Sequence, residues 1–332
     1  MKLIGIEEHF LTADIHETWH AIGLDASDPS VAFHSGTVGR RLLDLAEERL
    51  ALMDETGLDM QVLSLTTPGL HNLGRESLEL ARRTNDLLAE VVARHPTRFQ
   101  AMATLPVALP VEAARELERC VSALGFKGTM LCGRVDGRNL DDPAFLPLFD
   151  AAAGLGVPIL LHPRTPAKAV RDAYYSGFAP AVDAAFATYG LGWHYDAGIQ
   201  FVRLVLSGLF DRLPGLQVIL GHWGELVLFY ADRLAAMDRV STLAQPIATY
   251  LRRNLYITAS GMFLPHYLER AVAIVGPQRL LFSSDYPYQY RPGRDARRFL
   301  ETCGLGTADL AAFAHGNWLR LTNTTENPTA RR

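Results

Sequence analysis

Leu3-Ile-Gly-Ile-Glu-Glu-His-Phe10 is an apolar run that ends in two acids and a histidine. A strand buried on both faces reads as such an unbroken apolar run, the pattern of parallel sheets wrapped by helices. Within Glu7-Glu8-His9 the side chains alternate, so Glu7 and His9 share the inward face while Glu8 points elsewhere. Working outward from a strand at 3–7, further strands are expected at 60–65, 99–105, 126–131, 158–162, 217–221, 255–259 and 280–285. Eight strands alternating with helices predict an α/β chain closed into a (β/α)8, or TIM, barrel.

Helical periodicity falls at 41–56, 76–95, 111–124, 143–155, 196–212 and 224–244. Gly57, the His95-Pro96 pair, Gly125, and Gly154 with Gly156 punctuate the first four. Two connections, 11–40 after the first strand and 163–195 after the fifth, are too long for ordinary barrel loops. Both follow strand C-terminal ends, so they are expected to overhang the mouth as lid or dimer contacts. The chain reads as one metal-dependent barrel domain over 1–321 with a flexible tail at 322–332, rich in Thr, Asn, Pro and Arg.

Composition limits the rest. A hydrophobic share of 48% and a charged share of 20% belong to an ordinary globular protein with a sizeable core. The net charge of −4 and the lack of a basic run argue against nucleic acid as a partner. Cys120, Cys132 and Cys303 are odd in number and show no CxxC spacing, so no disulfide framework is expected and a reducing cytoplasm fits. No apolar stretch suits a secretory signal or a membrane span.

Candidate metal ligands stand at the ends of these strands: Glu7 and His9 at the first, His162 at the fifth, His222 after the sixth and Asp285 at the eighth. A barrel brings such ends to one mouth, where distant residues become neighbours. Any one of them alone reads as a hydrogen-bonded core histidine or a helix-capping acid. Their joint placement points to one site holding a divalent ion. The other histidines, His16, His20, His34, His71, His95, His194, His266 and His315, fall mostly in loops or helices and read as surface or core residues; His194 has pocket lining as its second reading. Glu225 follows His222 by three residues, close enough to orient the imidazole or to complement a helix N-terminus. Phe10, Trp223, Tyr286 and Tyr288 adjoin ligand positions and suit a flat arene, with core packing as the alternative.

The segments EEHF at 7–10, RLALMDETG at 49–57, LLHPR at 160–164, SGLFDRLPGLQVILGHWGE at 207–225, YITASG at 256–261 and LFSSDYP at 281–287 are together specific. On them the chain resembles the amidohydrolase superfamily, and within it the decarboxylase branch of γ-resorcylate, 2,3-dihydroxybenzoate and aminocarboxymuconate semialdehyde decarboxylases. The likeness runs to about Leu321. It implies an amidohydrolase-like barrel, metal ligands Glu7, His9, His162 and Asp285, and Asp285, His222 and Glu225 as catalytic residues. Arg233, Phe10 and Tyr286 are then substrate-binding, and Arg233 matches an arginine that reaches an adjoining subunit, so a homodimer or homotetramer is expected. Arg49 matches an arginine used in the aminocarboxymuconate branch.

Two carboxylates and two imidazoles make a harder site than an all-histidine one, suiting Mn²⁺ or Mg²⁺ alongside Zn²⁺. Binuclear members bridge their ions with a lysine at the end of strand four; this chain has Met130-Leu131-Cys132-Gly133 there, so one ion is expected. Cys132 reads as packing, or as a weak extra ligand. The implied reaction is non-oxidative decarboxylation of a hydroxylated aromatic (salicylate- or resorcylate-type) acid, with protonation of the ring carbon and release of CO₂. A lactone or amide hydrolase of the same superfamily is the alternative, and a metal-holding scaffold a third reading.

Overall fold

The computed structural model describes residues 1–323. Of the expected tail, only Thr322 and Asn323 are described, in the turn that ends the last helix; the remainder of 322–332 lies outside the described residues. The strands are β1 (Ile4–Phe10), β2 (Met60–Leu65), β3 (Phe99–Ala101), β4 (Thr129–Cys132), β5 (Ile159–His162), β6 (Val218–Leu220), β7 (Leu255–Thr258) and β8 (Leu280–Leu281). Parallel pairing runs β1-β2-β3 and β4 through β8. Two seams join these arcs. Ala103 pairs with Thr129, and the Lys127 and Ala103 amides donate to Ala101 and Gly128 at 2.9 and 2.8 Å. Glu8 pairs with Tyr286, and the Ile6 and His9 amides donate to Phe282 and Tyr286 at 3.0 and 2.7 Å. The ring is closed, as a TIM barrel requires.

Several expected bounds shift. β1 runs on to Phe10, while β3 stops at Ala101, β4 begins at Thr129 and β8 ends at Leu281, well short of Asp285. The backbone leaves the ladder where it turns in over the mouth. The helix expected over 41–56 is two, Gly36–Leu43 and Glu47–Thr56, because the Asp44 carboxylate between them accepts from the Ala46 and Arg49 amides and starts the second. That over 196–212 becomes Gly192–Leu206 and Leu209–Arg212, parted at left-handed Gly208. The long connections hold helices of their own, among them Ala13–Ala21, Lys168–Tyr174 and Pro180–Ala185.

Inside the ring, Ile4, Ile6, Met60, Val62, Met102, Met130, Cys132, Leu160, Ile219, Tyr256 and Leu281 pack together, and Trp318 closes this plug with its indole donating to Gln100 at 2.8 Å. Ile4 and Ile6 belong to this interior, yet so do Glu7 and His9. One strand cannot send 4, 6, 7 and 9 to the same side by alternation. A register shift between Gly5 and Glu8 inverts the parity. Glu8 thereby turns to the outer side, where its carboxylate accepts from the Ser284 amide (2.8 Å), the Ser284 hydroxyl (2.6 Å) and the Tyr286 amide (3.4 Å). A side chain at position 5 would collide with that carboxylate, which explains the glycine in the middle of the strand.

Replacing Glu8 by Ala leaves the half-buried Ser284 donors unpaired. The expected cost is about 3 kcal/mol, read as a lower midpoint in thermal or urea unfolding. Gly5→Ala should weaken the same seam, and an unfolding midpoint equal to wild type in both variants would show that the seam does not rest on this carboxylate.

Candidate metal centre

Glu7, His9, His162 and Asp285 meet at the C-terminal mouth, all four buried, with one ligand atom of each within 4.8 Å of every other. His9 Nε2 stands 3.2 Å from Asp285 Oδ1 and His162 Nε2 stands 3.6 Å from Glu7 Oε1. Glu7 Oε2 is held by the Thr258 hydroxyl at 2.8 Å and by the Ser260 hydroxyl, with Ser283 at 3.5 Å. Glu7 Oε1 and His9 Nε2 have no hydrogen-bond partner although both are buried. A buried carboxylate oxygen and a buried imidazole nitrogen left bare are costly unless a cation joins them. The donor set therefore fits one divalent ion.

Burial drives His9 down to about 4 and His162 to about 3, so both imidazoles are neutral at physiological pH, the form that ligates a metal. His162 Nδ1 lies 2.8 Å from the Pro163 carbonyl, which leaves Nε2 for the ion. Arg49 is wholly buried behind the strand. It donates to the His9 carbonyl at 2.7 Å, to Gln61 at 3.1 Å and to the carbonyls of Asp44 and Arg41, and so fixes the backbone that carries His9. Gly221 brings β6 close: a Cβ there would sit 2.9 Å from Glu7 Oε1.

His222 lies beside this group, its ring 6.3 Å from that of His162. Its Nδ1 is 2.5 Å from Glu225 Oε1, and His194 Nδ1 is 2.7 Å from Glu225 Oε2. The expected helix over 224–244 does not start here: His222, Trp223, Glu225 and Leu226 are all left-handed, and helix resumes only at Ala231–Ala235. Glu225 thus has no helix N-terminus to complement; the strained turn exists to aim its carboxylate between two imidazoles. Burial disfavours a charged His222, but the charge and hydrogen bond of Glu225 outweigh it and hold the imidazole up at about 10. Glu225 itself sits at about 2, because the two histidines overcome its burial. Asp285, also left-handed, is pushed up to about 7 by burial against the pull of His222.

Other expected positions separate. Phe10 packs fully buried in the outer core, because the alternation that turns His9 inward turns Phe10 outward. Tyr286 lies under the Arg49 guanidinium, 4.6 Å from its ring centre, and is likewise turned away from the ligands. Trp223 donates its indole to the Met262 carbonyl and stacks on Tyr267. Tyr288 does reach the centre, its ring 5.7 Å from that of His9. Arg233 is exposed on Ala231–Ala235. Cys132 is buried in the interior plug, and the three cysteines are free. Sequence reading left Thr258, Ser260 and Ser283 without a role, although hydroxyls that interrupt apolar strand ends were a visible signal. It also gave His34 no place near the site.

A buried two-carboxylate, two-imidazole cage at the mouth of a closed barrel defines a metal-dependent barrel protein. The sequence profile of the amidohydrolase family matches residues 12–321, and the chain belongs to that family. It is 34% identical over 329 residues to a γ-resorcylate decarboxylase of Polaromonas sp., covering 95% of this chain and 96% of that one. The crystal structure of 5-carboxyvanillate decarboxylase from Sphingomonas paucimobilis superposes with a TM-score of 0.90 at 32% identity, covering 98% of this chain and 99% of that one. The Novosphingobium aromaticivorans enzyme of the same name, complexed with manganese and 4-hydroxy-3-methoxy-5-nitrobenzoic acid, gives 0.89 at 30% identity, covering 97% and 96%. Among the described residues no helix is long and apolar enough to cross a membrane.

His162→Ala should lower metal content, measured by elemental analysis of purified protein, whereas His222→Ala should retain the ion. Equal loss in both would make His222 a ligand.

Proposed function

We propose that this chain is a metal-dependent non-oxidative decarboxylase of a hydroxylated aromatic acid with a hydroxyl group ortho to the carboxylate. The observation that carries the reading is the buried cage of Glu7, His9, His162 and Asp285, with two bare ligand atoms and a carboxyl of raised pKa on its rim. The relatives point the same way: γ-resorcylate and 5-carboxyvanillate are both hydroxylated aromatic acids. Manganese is the preferred ion, since half the donors are carboxylate.

When bound, a divalent ion supplies a positive anchor that orients an aromatic acid and favours developing negative charge. Glu7, braced by Thr258 and Ser260, keeps one oxygen free for it. Asp285 carries the reaction's proton: one oxygen serves the ion and the other the proton, which burial of the carboxyl favours. It protonates the ring carbon that bears the carboxylate. The carbon–carboxylate bond then breaks, its electron pair restores aromaticity, and CO₂ leaves. His222, kept cationic by Glu225, stabilises the carboxylate that Asp285 becomes. Tyr288 supplies an aromatic edge beside His9. Arg233, with exposed Phe229 and Tyr230 preceding it, meets a second copy of the chain in a homodimer or homotetramer.

Incubation of the manganese-loaded protein with 2,6-dihydroxybenzoate and related ortho-hydroxybenzoates should yield CO₂ and the matching phenol. A carboxylic acid released from a lactone, with no CO₂, would establish the hydrolase reading instead. Asp285→Asn should lower kcat by about 10³-fold. Chelator treatment should abolish turnover, with Mn²⁺ restoring more of it than Zn²⁺.

A further inference from the structure

On the same face of the barrel as the cage lies a second cavity, of about 470 Å³, that none of the four ligands lines. Chain beyond four strand ends meets there. The insertion after β1 brings Ser27 and Asp28, the loop after β2 Asn72, the loop after β4 Arg134, and the insertion after β5 Arg164 and Arg171. We propose that this cavity is a binding site for a small oxyanion, of the phosphate or dicarboxylate class, held between Arg134 and Arg171. The inference does not depend on the decarboxylase reading.

The donors that would hold the anion are those the fold leaves unused. Arg134 has only 18% of its side chain exposed, yet its Nε is enclosed without a hydrogen-bond partner, and among the described residues its terminal nitrogens make no hydrogen bond. A guanidinium so far removed from water is costly without an acceptor. The acid paired with it, Asp196, stands 3.5 Å from Nε and has its own Oδ2 unpartnered; burial holds that carboxyl up at about 6, which makes it a weak counter-ion. Arg171 gives one terminal nitrogen to the Ser27 carbonyl at 3.0 Å, and its Nε is likewise enclosed and bare. In both residues the terminal nitrogens are therefore the ones left to face the cavity.

The remaining charges of the cavity are committed elsewhere. Arg164 donates to the Arg134 carbonyl and to the Asn72 side chain, so it fixes the backbone that presents Arg134. Asp28 Oδ1 accepts from the Ser30 amide at 3.0 Å, the Ser30 hydroxyl at 2.7 Å and the Thr165 hydroxyl at 2.6 Å. Asp136 is exposed at the rim. Neither acid pairs with Arg134 or Arg171 among the described residues. Two guanidinium forks with free terminal nitrogens match the paired oxygens of a carboxylate or a phosphate, and the volume suits one small molecule. An anion between them would tie the insertion after β5 to the loop after β4.

The test is isothermal titration of the metal-loaded full chain with inorganic phosphate and, separately, with succinate, at constant ionic strength. One anion per chain should bind, and a concentration about ten times its Kd should raise the unfolding midpoint by ~2 °C. Arg134→Gln and Arg171→Gln should each weaken that binding ~10-fold or more, with metal content unchanged. Arg171→Gln, on the helix Lys168–Tyr174 that buries none of its residues, serves if Arg134→Gln does not fold. Tighter binding of phosphate would support a phosphate-bearing ligand, and tighter binding of succinate a dicarboxylate. Wild type that binds neither anion would overturn the site. So would binding that both variants keep at full strength, since the anion would then sit on the ion in the cage. No arm of the test requires turnover, so its failure leaves the decarboxylase reading untouched.

Discussion

The contact on which everything else stands is the closure of β1 against the chain beyond β8. Glu8 is clamped to Ser284 and Tyr286, and the His9 amide bonds to the Tyr286 carbonyl. Those bonds set Glu7 and His9 opposite Asp285, residues almost 280 positions apart. A ligand cage assembled across so long a separation exists only when the ring is shut. Arg49 adds a second brace by holding the His9 carbonyl from behind, so the backbone that presents the imidazole is fixed on both sides. Because neither brace enters the pocket, the cage is rigid without being crowded.

Strain and charge are concentrated on the loops after β6, β7 and β8. His222, Glu225, Ser260 and Asp285 all adopt left-handed backbone, a conformation that costs ordinary residues roughly 1 to 3 kcal/mol each. The cost is tolerable because each residue is locked by a neighbour: His222 by Glu225 and by the Ser260 hydroxyl on its amide, Ser260 by Glu7 and by Ser283 on its amide. The rings of Tyr288, His9, His162, His222 and His194 then succeed one another at 5.7, 4.8, 6.3 and 4.8 Å. Along that row the inner imidazoles are neutral ligands and His222 is cationic. The difference lies in whether a carboxylate is shared as a hydrogen-bond partner, as Glu225 is, or left bare, as Glu7 Oε1 is.

The barrel and its four ligand positions were legible in the sequence because strand runs and their polar ends are local features. What was not legible was long-range or conformational. Periodicity over 224–244 suggested helix, since nothing in the residue types of Trp223 or Leu226 announces a left-handed turn imposed by the Glu225 bridge. Phe10 and Tyr286 looked like pocket residues because adjacency in sequence was taken for adjacency in space, whereas alternation along an extended chain sends neighbours of ligands away from them.

The register shift between Gly5 and Glu8 divides β1 into two lengths of opposite phase. Below it, Ile4 and Ile6 fill the barrel floor; above it, Glu7 and His9 serve the mouth. In a strand of uniform phase any exchange of reactive groups would be tied to the packing beneath. Here the floor and the mouth answer to separate constraints, so a descendant of this fold can acquire a different set of reactive groups at the rim while inheriting its foundation unaltered.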